Sequence, residues 1–379
     1  KNVKICLLCF DISNNSLGRA ALLANALSTH HDVKIIGTSK NNDIWYPMRN
    51  IQVPIQIFSW RRYPAFILTI FKMLREMDAD IYIACKLRPT SFGIALLKKC
   101  LSGSPVLLDI DDWEAGFYYH SNFWGRVGRF LNFSNPNGLP YTWLMEKLVG
   151  FADSVIVSNR FLQDRFTGLM VRHCRDTTAL NPDNFDSKKV KSSLGLGNNR
   201  VIMFMGTPRA HKGIDDLIQA VEGLSSSDLR LVFIGAEPSF YSTRCKTSLI
   251  QERLVVFPKV PFEELPKYLA AADILVIPQR DTTDTQGQSP AKLFDAMAMA
   301  KPIITTRVSD IPEVLGGNGY LVEPGNPEEL GRTLQYVLDH PEEARKRGLR
   351  ARERCMEFYD IKVMKAKLES LISGMIGST

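Results

Sequence analysis

The feature that most restricts this chain is an alternation of short apolar runs with segments patterned as amphipathic helices. In the first half the runs are Val3–Phe10, Val33–Gly37, Ile81–Cys85, Val106–Ile110 and Ser154–Ser158. In the second half they are Val201–Gly206, Arg230–Gly235, Val255–Phe257, Ile274–Pro278, Pro302–Thr305 and Gly319–Val322. Helical patterns lie between most of them: Arg19–Leu27 is one, and Ile214, Leu217, Ile218, Val221 and Leu224 share the face of another. Short continuous apolar runs fit strands buried on both faces, and their alternation with helices predicts α/β architecture with parallel sheets.

At 379 residues the chain exceeds one ordinary core, so two domains are expected. The polar stretch Asn184–Asn199 has a linker's composition and precedes a fresh strand. The expected division is therefore an N-terminal domain over 1–185 and a C-terminal domain over 186–357, with a terminal helix over about 358–379 packing back on the first. Two such domains leave a cleft at the carboxyl ends of their strands, where ligands bind in α/β folds.

Composition narrows the class. Apolar residues make up 45% and charged residues 23%, the profile of a soluble globular protein, and no apolar run reaches spanning length. The start, VKICLLCF, reads as a buried strand and not as a signal peptide. The 7 cysteines are scattered without a C-x-x-C pair, which argues against zinc and redox motifs and for a reducing, cytoplasmic compartment. Through Phe185 there are 21 Lys/Arg against 15 Asp/Glu, out of 47 and 40 in the whole chain, so the basic excess belongs to the first half. Such an excess fits an anionic membrane surface or a phosphorylated substrate as well as a plain solvated surface, and no nucleic-acid partner is expected.

Two segments carry candidate chemistry. In MFMGTPRAHKGIDDLIQA (203–220) a strand ends at Gly206, a helix begins near Gly213, and Arg209 and Lys212 stand in the turn between. Cations beside a helix N-terminus suit a diphosphate, although the spacing alone equally fits two solvated surface cations. In TQGQSPAKLFDAMAMAKPIITT (285–306), Ser289 is a good N-cap and Pro290 a favoured first helical residue. The open N–H groups of Ala291 and Lys292 offer a second phosphate cradle. Asp295 lies about 9 Å further along the axis, roughly the reach from a pyrophosphate to its ribose. A capped helix with an apolar face and an exposed acid explains the same residues.

With a third segment, SDIPEVLGGNGYLVEPGNPEEL (309–330), the order of motifs resembles a known family over about residues 201–345. It is similar to the donor domain of retaining glycosyltransferases of GT-B architecture, two Rossmann-like domains facing each other across a cleft. Within that class it resembles the large group 1 family that includes sucrose synthases and many bacterial cell-surface glycosyltransferases. The stretches 141–162 (YTWLMEKLVGFADSVIVSNRFL) and 107–114 (LLDIDDWE) resemble the N-terminal domain more loosely. The resemblance implies transfer of a sugar from a nucleotide sugar, UDP-linked more readily than GDP-linked, to a glycan or lipid-linked acceptor with retained configuration. Neither cofactor nor metal is implied. Arg209 and Lys212 would hold the diphosphate and stabilise the departing nucleotide, a reaction that needs leaving-group stabilisation more than a strong base. Gly206 and the segment Ser289, Pro290, Ala291, Lys292 and Leu293 would complete the phosphate site. Asp295 would bind ribose, and Pro258–Val260 would lie against the base.

The chain departs from the family in two places. The family often carries a second acid eight residues before the position of Asp295, and here that position is Gly287. Asp281 and Asp284 are nearby substitutes. The family's N-terminal glycine pair is replaced by Asn14 and Asn15, so the loop Ser13–Arg19, with Gly18, would meet acceptor or phosphate through side chains. Asp111 and Asp112, beside Asp109 at a strand's end, could face the donor sugar or take the acceptor's proton. They equally fit a structural acid cluster.

The stretch SWRRYPAFILTIFKMLREM (59–77) is basic, aromatic and apolar, which fits either a membrane-surface helix or a core-facing one. Aromatic residues crowd 113–143 (Trp113, Phe117, Tyr118, Tyr119, Phe123, Trp124, Tyr141, Trp143), suiting either sugar stacking or a packed subdomain. The alternative function is a degenerate GT-B protein that binds a nucleotide sugar as sensor or scaffold. A dinucleotide dehydrogenase would need G-x-G-x-x-G after a strand, and none occurs.

Overall fold

A computed structural model describes residues 2–119, 123–235, 237, 244 and 247–377. The chain forms two compact units. One comprises Lys1–His173, Gly287–Ser289 and Lys362–Thr379, and the other Cys174–Gln286 and Pro290–Ile361. The division therefore falls after His173 and not after Phe185. The expected linker contains a helix, Ser187–Ser193, because Asp186 caps the N–H groups of Lys188 and Lys189 and Val190 is buried. Its basic, serine-rich composition hides one capping acid and one buried valine.

The first unit is built on a parallel sheet of order β3-β2-β1-β4-β5-β6-β7. Its strands are β1 (Lys4–Cys9), β2 (Asp32–Ser39), β3 (Ile55–Ser59), β4 (Ile81–Cys85), β5 (Val106–Ile110), β6 (Ser154–Val157) and β7 (Leu169–Met170). Cys6, Leu7, Leu8 and Cys9 are fully buried, as expected for a central strand covered on both faces. The strands β3 and β7 escaped the sequence reading because they are edge strands of half-buried or exposed residues. The first helix runs Ser16–Leu27, so Gly18 and Arg19 belong to it and not to the preceding loop.

The second unit has a parallel sheet of order β10-β9-β8-β11-β12-β13. Its strands are β8 (Arg200–Met205), β9 (Leu229–Ile234), β10 (Leu254–Phe257), β11 (Ile274–Ile277), β12 (Ile303–Thr306) and β13 (Tyr320–Val322). Phe204, Leu217, Val221, Leu231, Phe233 and Leu334 form the heart of its core. Strand order reverses at the neighbours β8 and β11, and loops leaving the carboxyl ends there make the usual ligand crevice of a doubly wound sheet.

Candidate functional site

In the second unit β8 is followed by Gly206, whose φ of 119° only glycine adopts without strain. The turn that follows carries Arg209 and a short 3-10 helix, Ala210–Lys212, before the helix Ile214–Glu222. Four contacts fix this turn to the loop after β11. Gly213 (φ 64°) packs so closely that a Cβ there would lie 1.8 Å from the carbonyl oxygen of Pro278. Arg280 N donates to His211 O at 2.8 Å. The Arg280 side chain donates two hydrogen bonds to Asp216, at 2.9 and 2.7 Å. His211 Nδ1 stands 3.2 Å from Asp284. Asp284 is itself buried and accepts from Thr282 Oγ1, which makes it a support for the turn and removes it as a free sugar contact.

The helix Ala291–Ala298 begins one residue later than its sequence suggests. Pro290 stands at the cap position with extended geometry, and no Ser289 side-chain cap forms. Lys292 turns back toward the turn of Arg209 and Lys212. Its ammonium lies 4.0 Å over the Phe204 ring, and a Cβ at Gly206 would sit 3.7 Å from it and 3.6 Å from Lys212 Nζ. Burial, reinforced by Lys212, pushes the Lys292 amine well below its ordinary pKa. Lys212 Nζ donates to Thr207 O at 2.8 Å, while the exposed Arg209 guanidinium pairs with none of the described residues. The arrangement is a pocket of positive charge around a strand end, chemically suited to a polyanion.

Asp295 is not the exposed acid a capped surface helix would carry. It is 4% exposed, and Arg175 Nε and Nη2 donate to its two oxygens. Each oxygen keeps one further acceptor site. Val260 is half-buried in the loop after β10. Gly287, which groups with the first unit, abuts Trp113 of that unit, and a Cβ there would stand 2.6 Å from the Trp113 Cβ. The missing family acid thus has no room at this position as the backbone stands.

In the first unit the acids of LLDIDDWE meet cations that sequence reading missed. Lys86, just past β4, takes a positive φ of 74° and places Nζ 3.0 Å from Asp111, 3.0 Å from Glu114 and in contact with Asp112. Arg88 pairs with Glu114 and donates to Thr142 Oγ1 at 2.9 Å. Burial alone would lower the Lys86 amine, but Asp111, Asp112 and Glu114 outweigh it and raise its pKa well above normal. Burial raises Asp112 to about 6 despite Lys86. Asp111 Oδ1, although close to Lys86, accepts no hydrogen bond from the described residues.

Arg19 is buried, not free for an acceptor, and donates to Asp109 and to the carbonyls of Val171 and Arg172. Asn14 also turns inward on its own loop: its amide donates to Asp11 and its oxygen caps Ser16 N. Asn15 makes no side-chain cap, and Gly18 faces Trp45, whose ring would lie 3.3 Å from a Cβ there. Of the aromatic cluster, Trp113 donates to Glu146 and Tyr118 to Asn137 O as parts of a packed subdomain. The side chains of Tyr119, Phe123 and Trp124 lie outside the described residues.

Such geometry, a cation-lined strand end at the reversal point of one of two parallel-sheet units, is that of a doubly wound α/β protein whose crevice suits an anionic ligand. Comparison with known proteins narrows it. Residues 199–340 match the family of glycosyl transferases group 1. The GDP-mannose-dependent alpha-(1-6)-phosphatidylinositol monomannoside mannosyltransferase of Mycolicibacterium smegmatis is 26% identical over 240 residues, covering 59% of this chain and 63% of that protein. Sucrose-phosphate synthase from Thermosynechococcus elongatus superposes with a TM-score of 0.75 over 100% of both chains at 14% identity. Anabaena HepE, solved in complex with UDP and glucose, gives 0.75 at 15% identity over 98% of this chain and 100% of that one. At these identities the structural likeness is one of fold. The fold is that of GT-B glycosyltransferases, and residues 199–340 form a glycosyl transferases group 1 domain. The chain spans less than two thirds of the length of the curated relatives it matches first.

Proposed function

We propose that this protein is a glycosyltransferase that moves a sugar from a nucleotide sugar to a glycan or lipid-linked acceptor, with retention of configuration, in polysaccharide or glycolipid synthesis. The observation that carries this reading is the placing of Arg209 and Lys212 in the one turn that leaves β8, with Lys212 Nζ beside Gly206. A diphosphate placed there meets cations fixed in advance, so charge on the departing nucleotide is stabilised without reorganisation. The peptide N–H groups of Ala291 and Lys292 line the entry of the following helix. Asp295, held by Arg175, offers its remaining acceptor sites to ribose hydroxyls, and Val260 lies against the base. HepE was solved with UDP, which favours a uridine donor; the mannosyltransferase is GDP-mannose-dependent and keeps guanosine as the comparison.

Metal independence is part of the proposal. In the first unit the Lys86 ammonium already occupies the middle of the acids that a divalent cation would need. A peripheral membrane contact is proposed for the helix Phe66–Glu76. Phe66 and Met73 face the core, with Ile70 and Leu74 packed against it, whereas Ile67, Leu68 and Phe71 are exposed beside Lys72 and Arg75. Apolar residues next to cations suit an anionic lipid surface at the cytoplasmic face. No helix among the described residues is long and apolar enough to cross a membrane.

A thermal-shift panel of UDP, GDP, ADP and their sugar conjugates, with and without EDTA, tests the donor reading. Stabilisation by at least one conjugate, unchanged by EDTA, is expected. No shift with any of them would sink the donor site, and a shift lost in EDTA would overturn metal independence. Turnover separates an enzyme from a sensor: donor consumption must exceed one equivalent and fall away in Arg209→Ala. Flotation with anionic vesicles, reduced in Phe71→Ser, tests the lipid contact.

A further inference from the structure

The side chain of Lys292 has no place in the donor site as described so far, which uses only its backbone. It is a lysine where a helix would tolerate almost any polar residue, yet it is half-buried and does not extend freely into solvent. Its four-carbon stem folds back over Phe204, and its ammonium stops beside the same strand end as that of Lys212. Among the described residues it pairs with no carboxylate, and the ring face of Phe204 is its nearest favourable contact. Two ammonium groups held close together repel, and a cation–π contact returns only about 0.5–2 kcal/mol. The arrangement is costly unless an anion enters between them.

We propose that Lys292 is a third cationic ligand of the donor diphosphate, resting as a neutral amine and taking up a proton when the nucleotide binds. This rests on the donor-site reading above and adds to it both a residue and a charge state. The empty site disfavours the ammonium, because desolvation and Lys212 both act against it. A diphosphate reverses the balance: its oxygens accept from the ammonium, screen Lys212 and raise the amine's affinity for a proton. The charged groups that face Lys292 are Lys212 from the preceding turn and the incoming phosphates, with Phe204 closing the other side. The proton comes from solvent, and no covalent bond forms or breaks on the protein. Protonation then coincides with occupancy, so the full positive charge is present only when the leaving group is.

Isothermal titration of the whole protein with UDP, GDP and inorganic pyrophosphate, at about pH 8 in two buffers of different ionisation enthalpy, tests this. At that pH the terminal phosphate of UDP or GDP is already ionised, its pKa lying near 6, whereas pyrophosphate still carries a proton and is read for affinity alone. A buffer-dependent enthalpy with UDP or GDP therefore reports a protein group. Wild type should take up close to one proton with at least one of these two nucleotides. Lys292→Met, whose side chain can keep the stacking on Phe204, should lose the proton uptake and about tenfold or more in affinity. Lys292→Arg, always charged, should bind without proton uptake. If Lys292→Met binds as wild type with the same buffer dependence while Arg209→Ala loses affinity, the role of Lys292 is overturned and the donor site stands. If Arg209→Ala also binds undiminished, the donor site itself falls.

Discussion

Both units place charge at the carboxyl ends of neighbouring central strands and treat it in opposite ways. At the ends of β4 and β5, Lys86 and Arg88 are buried among Asp111, Asp112 and Glu114, and Arg19 closes on Asp109, so the charges nearly cancel inside the protein. At the ends of β8 and β11, Lys212, Lys292 and Arg209 gather without that compensation at Lys292 and Arg209. A buried charge is tolerated only when it is paired, as Lys86 is, whereas exposed Arg209 and half-buried Lys292 keep an incoming anion within reach. A self-neutralised cluster holds loops in place, whereas an uncompensated one marks where a counter-ion belongs. The proximity of acids in sequence, DIDDWE, suggested chemistry in the first unit; the pairing found there shifts the weight to the second.

The sharpest way to break the contrast is to remove the neutralising cation. Lys86→Met takes the shared cation from buried Asp111 and half-buried Asp112, leaving Glu114 to Arg88 alone, and should cost about 3–5 kcal/mol of stability in urea denaturation. A cost below about 1 kcal/mol would mean the cluster is hydrated and the contrast is false. Arg209→Ala should do the reverse, leaving stability within about 0.5 kcal/mol while donor turnover falls about 100- to 1000-fold. Comparable losses of stability and turnover would make Arg209 structural. Arg280→Met addresses the support beneath the cations. Its pair with Asp216 is partly exposed and adds only about 1 kcal/mol, yet kcat should fall about tenfold because the turn loses an anchor, with partial rescue by Arg280→Lys. An unchanged kcat would show that the Gly213 packing suffices.

The smallest effect concerns Asp112. Its pKa in the folded protein, about 6, lies above its ordinary 3.8, so the native state holds that proton more tightly. The associated stability is present below about pH 4 and lost as pH rises through about 6. Asp112→Asn should remove that slope, changing the difference between the stabilities at pH 5.5 and 7 by about 1 kcal/mol. Parallel profiles for wild type and variant would place the carboxyl in solvent.

Central strands and the helices between them were readable because continuous Val, Ile and Leu runs leave little choice of partner. The position of Arg209 and Lys212 was readable for a local reason: strand, glycine, turn and helix follow one another within a dozen residues. Lys86 and Glu114 were not readable as partners. Nothing near either one announces the other, and only the parallel register that sets Cys85 beside Asp109 brings them together. Lys292 was hidden differently: a lysine in a helical pattern is read as solvated, and its fold-back over Phe204 depends on a ring one strand away. Arg175 was not readable as the partner of Asp295, because its segment lies 120 residues earlier.

The close approach of Gly213 to the Pro278 carbonyl carries a lesson for anyone recombining such proteins. The stretch 206–213 is not a portable cassette: its shape is complementary to 278–285, and any side chain at 213 collides with that neighbour. A chimera that exchanges one stretch alone inherits a mismatch, whereas one that exchanges both keeps the junction intact. Crossover points for shuffled libraries are best set outside both stretches, so that a variant receives the two together.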